Sequence, residues 1–216
     1  MSDKRELLLK IYDLLLACYG HRNWWPGETA FEVCVGAILT QNTNWNNVEK
    51  AIINLKNHSL LDPEALFRTQ VKKIASLIKP AGYYNLKAKR LKSFLDYLFL
   101  VYAGDIGIMR QTPVRILRKE LLAVNGIGPE TADSIMLYAL GKAVFVVDAY
   151  TRRIGCCLKF ISEDYSYYDV QDVFTSNLPK RVKLFNEYHA LIVEHGKNTC
   201  KKKTRCEDCV LAGLRV

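Results

Sequence analysis

The stretch from Leu121 to Asp148, LLAVNGIGPETADSIMLYALGKAVFVVD, constrains this chain more than any other. It reads as helix, glycine hairpin, helix, a short apolar run and then one acidic residue. Gly126 and Gly128 flank Ile127 in a tight turn. Glycine adopts positive φ freely and lets backbone N–H groups approach another surface closely. Exposed N–H groups at a turn that opens into a helix form a ready-made phosphate site. Pro129 stands where a first helical residue should, and Glu130 follows in the first turn, so the second helix is well started. The spacing thus predicts a backbone-gripping hairpin with Asp148 held at the edge of the same site.

The rest of the chain reads as helical. Apolar residues recur with helical period over Phe31 to Leu39, Val48 to Leu55, Leu91 to Leu100 and Thr131 to Leu140. Pro26-Gly27, Asp62-Pro63, Pro80-Ala81-Gly82, Gly104 and Pro179 punctuate them. This predicts about ten helices and an all-α class, with Ala143 to Val147 as the strand candidate, too short to build a sheet alone. The N-terminal residues Leu7, Leu8, Ile11, Leu14, Leu15 and Cys18 follow helical spacing, which predicts a core-facing helix rather than a signal peptide.

Half of the 216 residues are hydrophobic, which excludes a disordered chain, and the net charge of +9 suits a polyanionic partner. No apolar run approaches the ~20 residues that span a bilayer, so the expectation is a cytoplasmic protein without membrane association. Of seven cysteines, Cys18, Cys34, Cys156 and Cys157 lie among apolar residues and are expected to be buried small hydrophobes.

The Leu121–Asp148 stretch resembles the helix-hairpin-helix DNA glycosylase superfamily, most closely its endonuclease III branch. Two further segments carry the resemblance: WWPGETAFEVCVGAILTQNTNW, from Trp24 to Trp45, and PAGYYNLKAKRL, from Pro80 to Leu91. The Trp-Trp-Pro pattern and the aromatic after QNT are similar to a 3-methyladenine glycosylase subgroup. The resemblance implies two helical lobes with a DNA-binding cleft between them. One lobe is a helical barrel over residues 23–137 that carries the helix-hairpin-helix. The other joins residues 1–22 to 138–216 and includes a Cys-rich loop. The implied partner is double-stranded DNA with a damaged base, bound by a monomer. The short connections and missing organelle signal lean towards a prokaryotic source.

Each candidate residue has a structural reading beside the functional one. In the family an aspartate about twenty residues after the hairpin is the essential carboxylate, and Asp148 fills that place; alone, Asp148 reads as the N-cap of the helix that follows. The hairpin residues Asn125, Gly126, Ile127 and Gly128 are implied to bind a DNA phosphate. Trp24, Trp25 and Trp45 are implied to line a base pocket, where aromatic walls stack on a flipped base; single tryptophans also serve as core. Gln41, with Asn42 beside it, is implied to fill the gap left by the flipped base, since an amide both donates and accepts. Lys87 and Lys89 belong to a basic cluster that offers phosphate contacts, or merely a solvated face.

Position 130 departs from the lyase pattern. Family members that also cut the backbone carry a lysine two residues after the second hairpin glycine, and its amine forms a Schiff base. Glu130 stands there. The expectation is a monofunctional glycosylase that uses water, removes a damaged base such as 3-methyladenine and leaves an abasic site. A bifunctional glycosylase/lyase drawing its amine from elsewhere, such as Lys197, and a non-catalytic DNA-binding module remain open. Cys200, Cys206 and Cys209 resemble the family's iron–sulfur loop, but Arg215 occupies the fourth cysteine position. A 4Fe–4S cluster with an unusual ligand, zinc, and a loop without metal all stay open, because such sites normally take four ligands.

Overall fold

The computed structural model describes residues 2–201 and 209–214, and among these every regular element is a helix. The chain divides into two compact units, Trp25–Lys142 and Met1–Trp24 with Ala143–Val216.

The first unit is built around α2 (Ala30–Leu39), whose residues from Phe31 to Leu39 are all buried. A helix apolar on every side belongs in an interior, and α2 packs against α3 (Trp45–Asn57), α6 (Tyr84–Tyr102), α9 (Pro129–Ser134) and the π-turn Ile135–Ala139 that continues α9. Burying Val33, Val35, Ile38 and Leu39 contributes roughly 1.5–3 kcal/mol each. The Thr29 hydroxyl starts α2 by accepting the Glu32 N–H at 3.1 Å. Asn44 and Asp62 cap α3 and α4 (Pro63–Arg68) in the same way, satisfying first-turn N–H groups that lack intrahelical acceptors. The short α5 (Val71–Leu77) and α7 (Ile106–Gln111) pack on the long α6.

α8 (Val114–Ala123) and α9 flank the glycine hairpin. Arg118 on α8 forks onto the fully buried carboxylate of Asp133 on α9, with nitrogen–oxygen distances of 2.7 and 2.9 Å. This bidentate pair joins the two helices independently of the turn between them.

The second unit holds α1 (Ser2–Tyr19), α10 (Ala149–Cys157), α11 (Tyr167–Thr175) and α12 (Val182–Asn198). Its core is aromatic. Phe145 stacks on Phe174 at 4.0 Å and meets Phe185 and Tyr188 edge-on. The Tyr188 hydroxyl donates to Leu8 O at 2.7 Å, so α1 is tied to α12 through a buried hydrogen bond. α10 crosses α12 at Gly196, where a Cβ would stand 2.3 Å from the Tyr150 ring. Any side chain there forces the helices apart.

Two expectations change. Ala143 to Val147 forms no regular element and no strand pairing; Phe145 O accepts from Gln171 Nε2 at 2.6 Å, and Val147 N–H donates to Tyr167 Oη at 3.3 Å. Side chains therefore satisfy backbone groups that a sheet would otherwise pair. Of the four apolar-context cysteines, Cys34 is buried, Cys156 and Cys157 are half-buried and Cys18 is exposed. Cys18 lies in the last turn of α1. Removing Arg118 takes the bidentate partner from the buried Asp133 carboxylate: Arg118→Ala should lower unfolding stability by about 3–5 kcal/mol in a denaturant titration.

Candidate active site

The hairpin closes on a network that reaches back to the QNT segment. Gly126 has φ +87°, and a Cβ there would sit 2.3 Å from Arg90 Cγ. Gly126 is therefore required twice, by its backbone and by the arginine stem packed on it. Arg90 Nη1 donates to Gln41 Oε1. Gln41 Nε2 donates to Gly126 O and to Thr131 Oγ1, both at 2.9 Å. Ile127 is buried and anchors the turn, while Asn125, Gly128 and Glu130 are exposed or half-exposed. Asn42, with φ +53°, is exposed beside Gln41. Sequence reasoning missed the roles of Arg90 and Thr131. Arg90 reads in the sequence as one more basic residue of the Lys87–Lys89 cluster, although it lies close to one helical turn from Lys87.

Lys87 is a correction. It is 1% exposed, and its Nζ donates to Leu39 O at 2.9 Å and Ala81 O at 2.6 Å. It satisfies the Leu39 carbonyl at the C-terminal end of α2 and the Ala81 carbonyl of the turn Lys79–Ala81, so it is not available to a phosphate. Burial first, and the Arg90 charge second, lower its pKa to about 8. Lys89, two residues on, is exposed.

Of the tryptophans, the structure brings Trp25 and Trp45 together edge-to-face at 5.2 Å, and Trp25 also meets Tyr138 of the π-turn at 5.2 Å. π-Turns occur often at functional sites. The Trp25 indole lies over Gly36, whose Cβ would come within 3.3 Å of it. Trp25 and Trp45 line a cavity of about 390 Å³ with Pro26, Glu32, Glu49 and Lys56. Lys56 Nζ lies 2.8 Å from Glu28 and 3.1 Å from Glu32. The Glu28 hydrogen bond, then Glu32, raise the lysine's pKa against the opposing effect of burial. Trp24 belongs to the other unit, where Lys197 Nζ stands 5.4 Å above its ring.

In that unit Asp148 is the N-cap of α10, and its side chain is 11% exposed. Oδ1 accepts from Thr151 N–H at 2.7 Å and Thr151 Oγ1 at 2.9 Å. Oδ2 lies 3.7 Å from Nε2 of His189, a buried residue of α12. Burial lowers the His189 pKa, and the Asp148 charge opposes that shift. The capping reading of Asp148 therefore holds, and the cap fixes the carboxylate's orientation.

Cys206 and Arg215 lie outside the described residues. Cys200 N–H donates to His195 O at 2.9 Å, and Cys209 Sγ lies 3.4 Å from His195 Nε2. His195 Nδ1 is 2.9 Å from the Tyr19 hydroxyl, which also meets Thr199 Oγ1 at 2.9 Å. Among the described residues no three His, Cys, Asp or Glu side chains are grouped to hold a metal ion. Three thiols with an arginine in the fourth place do not fit a four-thiolate cluster.

Residues 35–180 match the family model of the HhH-GPD superfamily base excision DNA repair protein. The chain belongs to the HhH-GPD superfamily. It is 52% identical over 210 residues to a provisionally named DNA repair glycosylase of Methanocaldococcus jannaschii, covering 96% of this chain and 95% of that one. It is 28% identical over 187 residues to endonuclease III of Sulfolobus acidocaldarius, covering 85% and 80%. The structure of H. pylori 3-methyladenine DNA glycosylase bound to 1,N6-ethenoadenine is similar at TM-score 0.77 and 29% identity, over 90% of this chain and 97% of that one. An endonuclease III–DNA covalent intermediate shares the fold at TM-score 0.83 and 20% identity, over 97% and 94%. This HhH-GPD chain is an endonuclease III-like DNA glycosylase, with DNA as its partner. No described helix is long and apolar enough to cross a membrane.

Because Lys87 serves carbonyls rather than DNA, Lys87→Met should lower stability by about 1–3 kcal/mol. The slope of log Kd against log salt for duplex DNA should stay unchanged, whereas loss of a phosphate contact would reduce it by about one.

Proposed function

We propose that this HhH-GPD protein hydrolyses the N-glycosidic bond of an alkylated purine, such as 3-methyladenine, in duplex DNA and leaves an abasic site. The observation that carries this reading is Asp148: a carboxylate held by Thr151 through one oxygen, with the other turned away from the cap. Breaking the bond builds positive charge on the sugar ring. A fixed carboxylate stabilises that charge more than a mobile one, because no reorganisation is needed as the charge appears. The same oxygen accepts a proton from the water that attacks C1′, and the electron pair of the broken bond leaves with the base. An alkylated purine carries positive charge, so it departs without strong acid assistance.

Glu130 supports hydrolysis rather than lyase chemistry, since a carboxylate forms no Schiff base. Trp25 and Trp45, which line one cavity, suit a cationic base, because electron-rich ring faces attract cations. The 29% likeness to the H. pylori enzyme supports the same substrate class. In this reading Asn125 to Gly128 hold a backbone phosphate through N–H groups, with Lys89 and Asn42 as further contacts. Gln41 fills the vacated stack by exchanging its hydrogen bonds to Gly126 and Thr131 for bonds to the opposite base.

The test is release of free base from methylated duplex DNA. Asparagine caps a helix about as well as aspartate, so Asp148→Asn keeps the fold and removes the charge. The native protein should free 3-methyladenine, and the variant should be slower by about 10²-fold or more with duplex affinity retained. Equal rates would remove Asp148 from the reaction; no release by the native protein would remove alkylated purines as substrate.

A further inference from the structure

The partner of the second carboxylate oxygen extends the proposed reaction, and its role depends on the hydrolytic reading of Asp148. Thr151 holds Asp148 Oδ1 twice, while Oδ2 faces His189 Nε2 at 3.7 Å. His189 itself is fixed. It is 5% exposed, lies on the long α12, and its ring meets Phe145 edge-on at 6.5 Å within the aromatic core. α10 and α12 cross tightly at Gly196, so the imidazole cannot withdraw without moving a helix.

A bare imidazole lone pair aimed at a carboxylate oxygen would repel it, so the geometry favours the tautomer with its proton on Nε2. At 3.7 Å the contact is longer than a hydrogen bond, and closing by about 0.7 Å would make it one. Such bonds commonly tighten when substrate binds.

The charges near His189 can be named. α10 brings Asp148 at its cap, with Arg152 bonded to Tyr165 O and Arg153 bonded to Gly196 O. α1 brings Tyr12, whose ring packs on Tyr188, and Asp13, which acts on Tyr188. Along α12, Glu187 and Glu194 engage His21 and Arg22. The 143–147 stretch brings uncharged Phe145. Burial lowers the His189 pKa more than the Asp148 charge raises it, which favours the neutral ring.

We infer that His189 is a positioning residue for Asp148: its neutral Nε2–H closes on Oδ2 when substrate binds and orients the carboxylate without adding a positive charge beside it. An imidazolium at the same spot would offset the negative charge needed by the oxocarbenium-like transition state. The enzyme therefore loses chemistry, not DNA affinity, as pH falls through the His189 titration.

The test joins nitrogen-15 NMR of histidine-labelled protein to single-turnover excision across pH. The spectra should place the His189 proton on Nε2, and Asp148→Asn should lower the His189 pKa by removing the attracting carboxylate. The native excision rate should fall only as pH drops below the ordinary histidine value of 6.5, because burial lowers the His189 pKa. His189→Gln keeps an N–H donor but does not titrate, so its rate should not follow that fall. His189→Phe keeps the bulk without the donor and should slow excision about tenfold to a hundredfold with duplex Kd unchanged. A Phe variant at the native rate, or a Gln variant declining in step with the native protein, would overturn the inference. If the native protein excises nothing, the substrate reading fails separately. The spectra still decide here: a His189 pKa unmoved by Asp148→Asn means the pair does not exist in solution. Those spectra need only the native protein and a cap-conserving variant, so the outcome stands even if a His189 variant does not fold.

Discussion

The carboxylate of Asp148 caps a helix and, in the proposed reaction, must also remain available to substrate, and the organisation of its unit suits that double demand. Charge-assisted bonds from Thr151 N–H and Oγ1 both fall on Oδ1. The α10 N-terminus attracts the negative charge, an effect of about 0.3–1 kcal/mol at exposed sites and more where water is excluded. Oδ2 is thereby left for other work. Val146 and Val147 are buried and fix the approach of the chain to this point. Tyr167 Oη accepts the Val147 N–H, so the residue before the cap is also held. The aromatic cluster around Phe145 then locks α12 and His189 behind the carboxylate.

The other unit solves a comparable problem with an amide. Gln41 follows α2, which is buried on every side, so its backbone is positioned by the core rather than by a surface loop. Its side chain spans from Arg90 to the hairpin and binds Gly126 and Thr131. Lys87 sits beneath the same helix end, on Leu39 O. Two polar side chains, Arg90 of α6 and Gln41 of the QNT turn, thus converge on the hairpin at Gly126. Because Gly126 tolerates no Cβ against Arg90, the hairpin's shape and the position of Gln41 are coupled. A phosphate gripped by the hairpin would act on Gln41 through that shared network.

Much of this is legible in the sequence, and the failures have physical causes. VVDAYT shows the cap at Asp148 because Asp before a helix is a local signal. NGIGP shows the hairpin because Gly126 and Pro129 obey local backbone rules. Lys87 misleads because KAKR resembles a solvated face. The carbonyl that buries its ammonium belongs to Leu39, 48 residues away, and no periodicity encodes that partner. Ala143 to Val147 carries strand-like residues, yet the groups that pair its backbone are side chains of Tyr167 and Gln171. Cys18 keeps the apolar spacing of α1 but is exposed in its last turn. The contact between His189 and Asp148 spans two helices and has no local sign.

The central claim is that water, placed beside the Asp148 carboxylate, is the nucleophile. The most direct measurement is excision run in oxygen-18 water, with mass spectrometry of the product strand and a parallel borohydride reduction. The account predicts an intact strand with one oxygen-18 in the abasic hemiacetal at its earliest detectable formation, and no protein–DNA adduct. A reduced covalent adduct between protein and DNA would contradict it, because an amine and not water would then have attacked the sugar.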